Sequence, residues 1–232
     1  MLPIRDTIRS RSLPVVNWLL IILNLLVFLF EVSLSPSRLE SFINTWGLSP
    51  AAVNPLNPLT WAPYITHMFL HGGWYHFLSN MWILFIFGDN VEDRLGSIRY
   101  LLFYLLGGIA AGMAQGLLSA EPQAVSIGAS GAIAAVMGAY FLFFPRAKII
   151  TLIPIWIIPW FVQVPALLFL GIWFVSQLFS GVLSLSTTSG AALGGIAWWA
   201  HIGGFIFGLV MAKIFSIGRP EQRWYPDQYY PY

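Results

Sequence analysis

Long apolar runs constrain this chain more than any other feature. Several runs without a charged residue reach the roughly 20 residues that an α-helix needs to span a bilayer, and 58% of the 232 residues are hydrophobic while only 9% are charged. Backbone in hydrocarbon must satisfy its own hydrogen bonds, which favours helices. The sequence therefore predicts an all-α, polytopic membrane helix bundle with six transmembrane helices, at about residues 15–34, 66–90, 100–119, 128–144, 165–182 and 191–216.

Basic residues are distributed asymmetrically around these spans. Six spans place both termini on one side, and ten of the eleven lysines and arginines fall on that side, with Arg38 as the exception. Because short loops rich in Lys and Arg stay in the cytoplasm, we expect both termini to be cytoplasmic. The chain then divides into a cytoplasmic segment 1–14, a membrane domain 15–217 and a cytoplasmic tail 218–232.

Charge and cysteine content exclude several classes of function. The formal net charge of +2 is too small to indicate a nucleic-acid partner. The chain has no cysteine, which excludes disulfides, thiol nucleophiles and iron–sulfur ligation. The first span follows a basic start, but no small-residue cleavage site follows it, so we expect it to remain as an anchor.

Two proline-containing segments interrupt the helical pattern. The apolar segment from Ile149 to Pro165 contains three prolines, whose spacing prevents one continuous helix, and we expect an interfacial loop there. The segment from Ser35 to Pro63 carries prolines among Trp and Leu residues. It is predicted to be an outer loop that is partly embedded among lipid headgroups.

The densest polar cluster of the chain opens the second span and contains three of the four histidines. His76 and Asn80 are four residues apart, which places both side chains on one face of a helix. Two neutral donors that face one cavity are suited to binding an oxyanion. His67 and His71 have the same spacing and are candidates for metal binding or structural hydrogen bonds; the lack of partner carboxylates or cysteines favours the structural interpretation.

Ser130 and His201 lie inside separate hydrophobic segments. Each alone has a simpler interpretation, helix packing for the serine motif and an interhelical hydrogen bond for the histidine. Counted from the charges that end each span, at about 1.5 Å per residue, both residues and His76 with Asn80 lie about 18–24 Å above that end. This common depth predicts one cavity in which His201 is the base that activates Ser130.

No carboxylate lies in the same layer, so the sequence predicts a Ser-His dyad and not a Ser-His-Asp triad. Ser130 lies near the start of the fourth span, where unpaired backbone N–H groups and the helix dipole favour an anion. The predicted oxyanion site therefore consists of the His76 and Asn80 side chains and the Ser130 backbone N–H.

Small residues line one side of two spans and predict a close approach of their backbones. They are Gly128, Gly131, Ala135, Gly138 and Ala139 on the fourth span and Gly204 and Gly208 on the sixth.

Together these motifs resemble the rhomboid family of intramembrane serine proteases, over about Pro14 to Lys213. The sequence Gly128-Ala129-Ser130-Gly131 is similar to the family's Gly-x-Ser-Gly, with Ser130 as nucleophile. Ala200-His201 with Gly204 and Gly208 is similar to its Ala-His-x-x-Gly-x-x-x-Gly, with His201 as base. His76 and Asn80 match its oxyanion motif, His67 and His71 match histidines that are structural in the family, and Glu92-Asp93-Arg94-Leu95-Gly96 resembles the usual end of the second span.

The resemblance implies a serine endopeptidase that cleaves a peptide bond in or near a transmembrane helix of another membrane protein. It implies no metal or nucleotide, a partnership with the lipid bilayer, and a location in the inner membrane of a bacterium. Two features depart from the family pattern: the stretch from Thr60 to Tyr64 lacks the Trp-Arg that many members carry in the first outer loop, and Ala134 stands where some members have a tyrosine that stacks on the base. On the fifth span, Trp173 and Phe174 are candidate gate residues.

Two rival functions follow from the same residues. A non-catalytic member that binds transmembrane helices would lack the serine or the histidine, and both are present. A transporter that uses the clustered histidines would predict buried carboxylates and repeated halves, which the sequence does not indicate. The sequence leaves the oligomeric state, the substrate and the role of the Tyr/Pro-rich tail open.

Overall fold

Six long helices form the body of the molecule. The computed structural model describes residues 2–54, 56–155, 158–186 and 196–219. The helices are α1 (Val15–Ser33), α4 (Trp74–Leu95), α5 (Ser97–Leu118), α6 (Ser130–Phe143), α7 (Ala166–Ser186) and α8 (Trp198–Phe215). Two shorter helices, α2 (Pro36–Trp46) and α3 (Pro63–Thr66), lie in or directly after the segment predicted as an outer loop. The predicted membrane helix bundle is thus confirmed.

Length and composition distinguish the six helices. By these criteria α1, α5, α7 and α8 are long and apolar enough to cross a membrane, whereas α6 is apolar but has only 14 residues. Helix α4 has 22 residues and carries its charged residues near its C-terminal end. Residues 191–195 of the sixth predicted span, and residues 220–232 of the predicted tail, lie outside the described residues.

The predicted start of the second span was wrong. The sequence placed a helix from residue 66, but α4 begins at Trp74, and the chain before it forms α3, a single 3₁₀ turn (His67–Phe69) and an extended stretch. Gly73 has a φ of +143°, a conformation that glycine adopts far more readily than other residues and that breaks the helix. His67 and His71 therefore lie on the connection before α4 and not on its face.

Helix α6 lies at the centre of the bundle. Its residues from Gly131 to Tyr140 are all buried, and it packs against α4, α5 and α8. Helix α1 packs on α4, and α7 packs on α8. A short helix of small residues suits this position because neighbouring backbones approach it closely.

The predicted close approach of the fourth and sixth spans is confirmed. A Cβ atom at Gly208 would lie 2.1 Å from the Ala135 carbonyl oxygen, and one at Gly204 would lie 2.1 Å from the Gly131 carbonyl oxygen. From the other side, a Cβ atom at Gly138 would lie 2.2 Å from the Phe205 carbonyl oxygen. The backbones of α6 and α8 are therefore in direct contact over two turns.

The interfacial loop predicted from Ile149 to Pro165 was wrong. This segment forms two antiparallel strands, β2 (Lys148–Ile155) and β3 (Ile158–Pro165), and β1 (Leu2–Asp6) pairs with β2 to complete a three-stranded sheet in the order β1-β2-β3. The prolines do exclude a helix, but they are compatible with this hairpin. The last residue pair between β1 and β2 is Leu2 with Leu152. Pro154 lies beyond this pair, opposite Pro159 of β3, so its missing backbone N–H removes no hydrogen bond to β1.

The N-terminal segment is folded onto the bundle. Asp6 accepts hydrogen bonds from Asn90 Nδ2 at 2.9 Å and from the Tyr140 hydroxyl. The Trp82 indole donates to the Pro3 carbonyl oxygen at 2.6 Å. Residues 2–6, predicted only as a cytoplasmic segment, therefore connect α4 and α6 to the sheet at the end of the bundle opposite Ser130.

Candidate active site

Ser130 and His201 are hydrogen-bonded to each other. Ser130 is the first residue of α6, and His201 lies in the first turn of α8. The distance between Ser130 Oγ and His201 Nε2 is 2.8 Å. Next to this bond, α6 and α8 are in direct contact at Gly131 and Gly204. This contact brings the short Ser130 side chain within reach of the His201 imidazole. A hydroxyl that donates to an imidazole nitrogen is the arrangement from which a base can remove its proton.

The other imidazole nitrogen has a partner that the sequence reasoning missed. His201 Nδ1 lies 2.7 Å from Gln177 Oε1 on α7. Gln177 is buried, with 7% of its surface exposed, in a helix that carries no charged residue. The signal in the sequence was this lone amide in an apolar helix, since a polar side chain in a membrane helix usually has a partner.

The two candidate gate residues pack against α8. The Trp173 ring lies 5.8 Å from the His201 ring, centroid to centroid, and the Phe174 ring stacks on Phe205 at 4.7 Å. Trp198 approaches His201 from another side at 6.3 Å. Two tryptophans thus contact the imidazole, and Ala134, four residues after Ser130, is fully buried beside Gly204.

His76 faces the same space as the Ser130 hydroxyl. Its Nδ1 accepts a hydrogen bond from the Gly72 backbone N–H at 3.3 Å, so in the neutral ring the proton is on Nε2. Gly128 has a φ of +121°, and a Cβ atom there would lie 2.7 Å from His76 Nε2 and 3.7 Å from Ser130 Oγ. The absence of that Cβ atom leaves the His76 N–H directed at the space next to the serine.

Asn80 is buried one turn below His76 and is tied to it. Its Nδ2 donates to the His76 carbonyl oxygen at 2.9 Å, and only 6% of its surface is exposed. One of the two amide hydrogens is engaged in this bond, and the second is left for another acceptor. Asn80 therefore has a local structural bond in addition to its predicted role as an oxyanion donor.

The His67 ring makes a structural hydrogen bond, whereas His71 is bonded through its backbone and both nitrogens of its buried ring have no hydrogen-bond partner among the described residues. His67 Nδ1 donates to the Pro63 carbonyl oxygen at 2.7 Å, and the His67 carbonyl oxygen accepts from the Gly128 N–H at 2.8 Å. The His71 backbone N–H donates to the Glu31 carboxylate, at 3.1 and 3.2 Å to its two oxygens. Within the described residues no group of three or more His, Cys, Asp or Glu side chains is arranged to hold a metal ion.

A second amide supports the start of α8. Gln115, on α5, accepts a hydrogen bond at its Oε1 from the Ala200 backbone N–H at 3.2 Å. The first N–H groups of a helix have no partner within the helix, so this side chain satisfies one of them. It fixes the turn that carries His201.

The chain matches a family model described as the rhomboid domain over residues 58–218. RHOMBOID-like protein 6, mitochondrial, of Arabidopsis thaliana is 30% identical over 204 residues, which are 83% of this chain and 57% of that protein. Rhomboid protease GlpG of Salmonella choleraesuis (strain SC-B67) is 28% identical over 212 residues, 91% of this chain and 67% of that protein.

Another relative is Rhomboid-like protein 11, chloroplastic, of Arabidopsis thaliana, 28% identical over 161 residues, which are 67% of this chain and 53% of that protein. The chain spans between about a third and somewhat more than half of the length of the Arabidopsis relatives that it matches. The apolar helices and these matches identify an integral membrane protein.

Proposed function

Because this chain belongs to the rhomboid family, we propose that it is an intramembrane serine endopeptidase. Its substrates are transmembrane proteins, and it hydrolyses peptide bonds in or near their membrane helices. Ser130 is the nucleophile and His201 is the general base. His76, Asn80 and the Ser130 backbone N–H stabilise the oxyanion.

The observation that carries this proposal is the 2.8 Å distance between Ser130 Oγ and His201 Nε2. In the first step His201 Nε2 takes the hydroxyl proton while Oγ attacks the substrate carbonyl carbon. His201 then returns the proton to the leaving amine, and the peptide bond breaks to give an acyl-enzyme. A water molecule, deprotonated by the same nitrogen, hydrolyses the ester and restores Ser130.

The negative charge that develops on the carbonyl oxygen needs donors that are already in place. The His76 Nε2–H faces the space beside Ser130, because Nδ1 accepts from Gly72. The Ser130 N–H lies at the start of α6, where no helix carbonyl is available to it. The second amide hydrogen of Asn80 is the third donor in the proposal.

The substrate segment must be extended to react. An amide inside a helix is shielded and hydrogen-bonded, so glycine, proline or polar residues in the substrate helix lower the cost of unwinding it. The proposal places the protein in the inner membrane of a bacterium with both termini in the cytoplasm. The sheet then lies on the cytoplasmic side, and residues 15–217 form the catalytic domain.

Labelling by a fluorophosphonate probe tests the nucleophile without a known substrate. We expect the purified protein in detergent to be labelled, and Ser130→Ala and His201→Ala to lose labelling. Ser41→Ala, which removes an exposed hydroxyl on α2, is the matched control and should retain it. Labelling that is unchanged by a chelator would agree with chemistry carried out by side chains alone.

Absence of labelling in a folded protein, or equal labelling of the Ser130→Ala variant, contradicts the proposal. The non-catalytic alternative, a protein that binds transmembrane helices, then becomes the better description. Binding of a transmembrane peptide without cleavage would be its positive sign.

A further inference from the structure

We propose that Gln177 is a positioning residue that fixes the tautomer and the orientation of His201. This inference rests on the proposed function, since it concerns the same base. Gln177 lies on α7, a different helix from both members of the dyad. Its Oε1 lies 2.7 Å from His201 Nδ1, at the opposite edge of the ring from the bond to Ser130.

A neighbouring hydroxyl determines which end of the Gln177 amide faces the histidine. The Ser176 hydroxyl donates to the Trp173 carbonyl oxygen at 2.6 Å, so its oxygen is left to accept. It accepts from Gln177 Nε2 at 3.1 Å. The amide nitrogen is thus held at Ser176, and the amide oxygen, which only accepts, is held at His201.

The consequence for His201 is a single tautomer. A neutral imidazole carries one proton, and the nitrogen that carries it is set by the partner of the ring. An acceptor at Nδ1 places the proton there and leaves the lone pair of Nε2 for the Ser130 hydroxyl. The other tautomer has a proton on Nε2 and is unable to act as base toward Ser130.

A neutral acceptor suits this position better than a carboxylate would. Ionised side chains are costly within a membrane span, whereas an amide needs only its hydrogen bonds. Gln177 therefore orients the imidazole, as an aspartate does in a triad, but it does so without placing a charge in α7.

The Gln177–His201 bond makes the tautomer of His201 depend on whether α7 is packed against α8. Trp173 and Gln177 are one turn apart, so one face of α7 supplies both a ring beside the imidazole and the acceptor for Nδ1. When α7 moves away from α8, His201 loses both contacts. The dyad is then complete only while α7 is packed against α8.

The first test measures the rate of fluorophosphonate labelling in three variants. Gln177→Leu keeps the size of the side chain but has no acceptor, and we expect labelling to slow by at least about tenfold, part of what a general base contributes. Gln177→Glu restores an oxygen acceptor and should recover much of the rate. Gln163→Leu, the same change at an exposed position of β3, is the matched control and should label like the wild type.

The second test reads the tautomer directly. Nitrogen-15 NMR of protein labelled at its histidines distinguishes a protonated Nδ1 from a protonated Nε2, and the His201 signal is identified by its loss in His201→Asn. In a Ser130→Ala background, where the serine no longer influences the ring, we expect His201 with the proton on Nδ1. Adding Gln177→Leu should produce the Nε2-protonated form.

The two tests separate the inference from the function on which it rests. If the wild type is labelled but Gln177→Leu labels at the same rate, or if the His201 tautomer is unchanged by Gln177→Leu, the inference is overturned and the protease proposal stands. If the wild type is not labelled, the protease proposal fails, and the tautomer measurement alone decides whether Gln177 sets the state of His201.

Discussion

Helix α8 has two contrasting neighbours. Against α6 it packs backbone to backbone, since Cβ atoms at Gly204 or Gly208 would overlap carbonyl oxygens of α6. Against α7 it packs through side chains, as in the stacking of Phe174 on Phe205. A Cβ atom at Gly181, on the face of α7 that packs against α8, would lie 3.1 Å from Ile202 Cδ1, a side-chain atom and not a backbone carbonyl.

The difference between these two contacts indicates that α6 and α8 are held rigidly together and that α7 can move. Backbone atoms in direct contact have no rotamers to change, so the Ser130–His201 distance is fixed by the α6–α8 contact. Side-chain contacts and the Gln177–His201 hydrogen bond connect α7 to α8, and much of the outer face of α7 is exposed. We therefore expect α7 to be the element that yields when a substrate reaches the site, as the gate hypothesis for Trp173 and Phe174 requires.

The largest effect should come from filling the α6–α8 contact. Gly208→Val places a branched side chain where the Ala135 carbonyl oxygen lies, so the helices must separate. We expect a loss of about 3 kcal/mol or more in stability and loss of labelling. The matched variant Gly181→Val adds the same side chain to α7 against side chains of α8 that can change rotamer, so it should lose less stability and keep labelling. Thermal unfolding in detergent and probe labelling measure the pair, and equal damage in both variants would show that the two interfaces do not differ.

A smaller loss is expected where α6 begins. Gly128→Ala introduces a Cβ atom 2.7 Å from His76 Nε2 at a position with positive φ, so it should strain the backbone and displace the oxyanion donor. We expect labelling to slow about 100-fold, within the range seen when an oxyanion donor is removed. Gly73→Ala shares the positive φ but meets no atom within 4 Å, so it isolates the strain. Comparable rates in the two alanine variants would assign the effect to backbone strain alone.

Loosening α7 should have a modest effect in the opposite direction. Phe174→Ala removes the stacking on Phe205, worth about 0.5–1.5 kcal/mol beyond area burial, without touching Ser130. If α7 limits access to the site, it opens more often in this variant and still returns to bond His201 between openings, so labelling should become a few-fold faster and the melting temperature should fall slightly. Phe179→Ala, at a ring that is 71% exposed on the same helix, should change neither. An unchanged labelling rate in Phe174→Ala would count against α7 as the gate.

The smallest effect concerns the far end of α6, where Tyr140 donates to Asp6. Burial away from water raises the pKa of Asp6 well above its usual value, and Asp89 adds to this, although the bond from Tyr140 opposes it. An acid with a raised pKa binds more protons in the folded state, so stability falls as pH rises from the unfolded pKa of about 3.9 toward the folded value.

Asp6→Asn keeps an acceptor for Tyr140 and has no charge. We expect its melting temperature to equal that of the wild type near pH 4 and to exceed it by about 2–4 °C at pH 8, the change that about 1 kcal/mol produces in a protein of this size. Glu40→Gln, which removes a charge from the exposed face of α2, is the matched control. The prediction is contradicted if the stability of the wild type increases relative to that of Asp6→Asn as pH rises.

The helices and the candidate dyad could be predicted because their signals are local in the sequence. Span length follows from bilayer thickness, and each of the six long helices can be matched to one apolar run, whereas α2 and α3 lie in a segment predicted as a loop. The small residues of α6 and α8 indicated a close approach, because only residues with little or no side chain permit it. Ser130 and His201 stood out because polar residues are rare in such runs.

The sheet and the partner of His201 could not be predicted in the same way. Strand β1 pairs Arg5 with Ile150, positions far apart in the sequence, and prolines that exclude a helix do not identify a strand partner. The start of α4 depends on the backbone conformation of Gly73, and a single sequence does not reveal that conformation. Gln177 was visible as a lone amide, but its direction toward His201 depends on how α7 packs against α8.

The sequence by itself therefore determined that the chain crosses a membrane as a helix bundle and which residues are chemically able to react. Hydrophobic length and residue type are properties of one segment at a time, and the bilayer acts on each segment separately. The tertiary structure decided which side chains meet: Ser130 and His201 at 2.8 Å, the Gln177 amide at the other nitrogen of His201, and the sheet that connects the N-terminus to α6. Such contacts depend on distances between segments, which only packing sets.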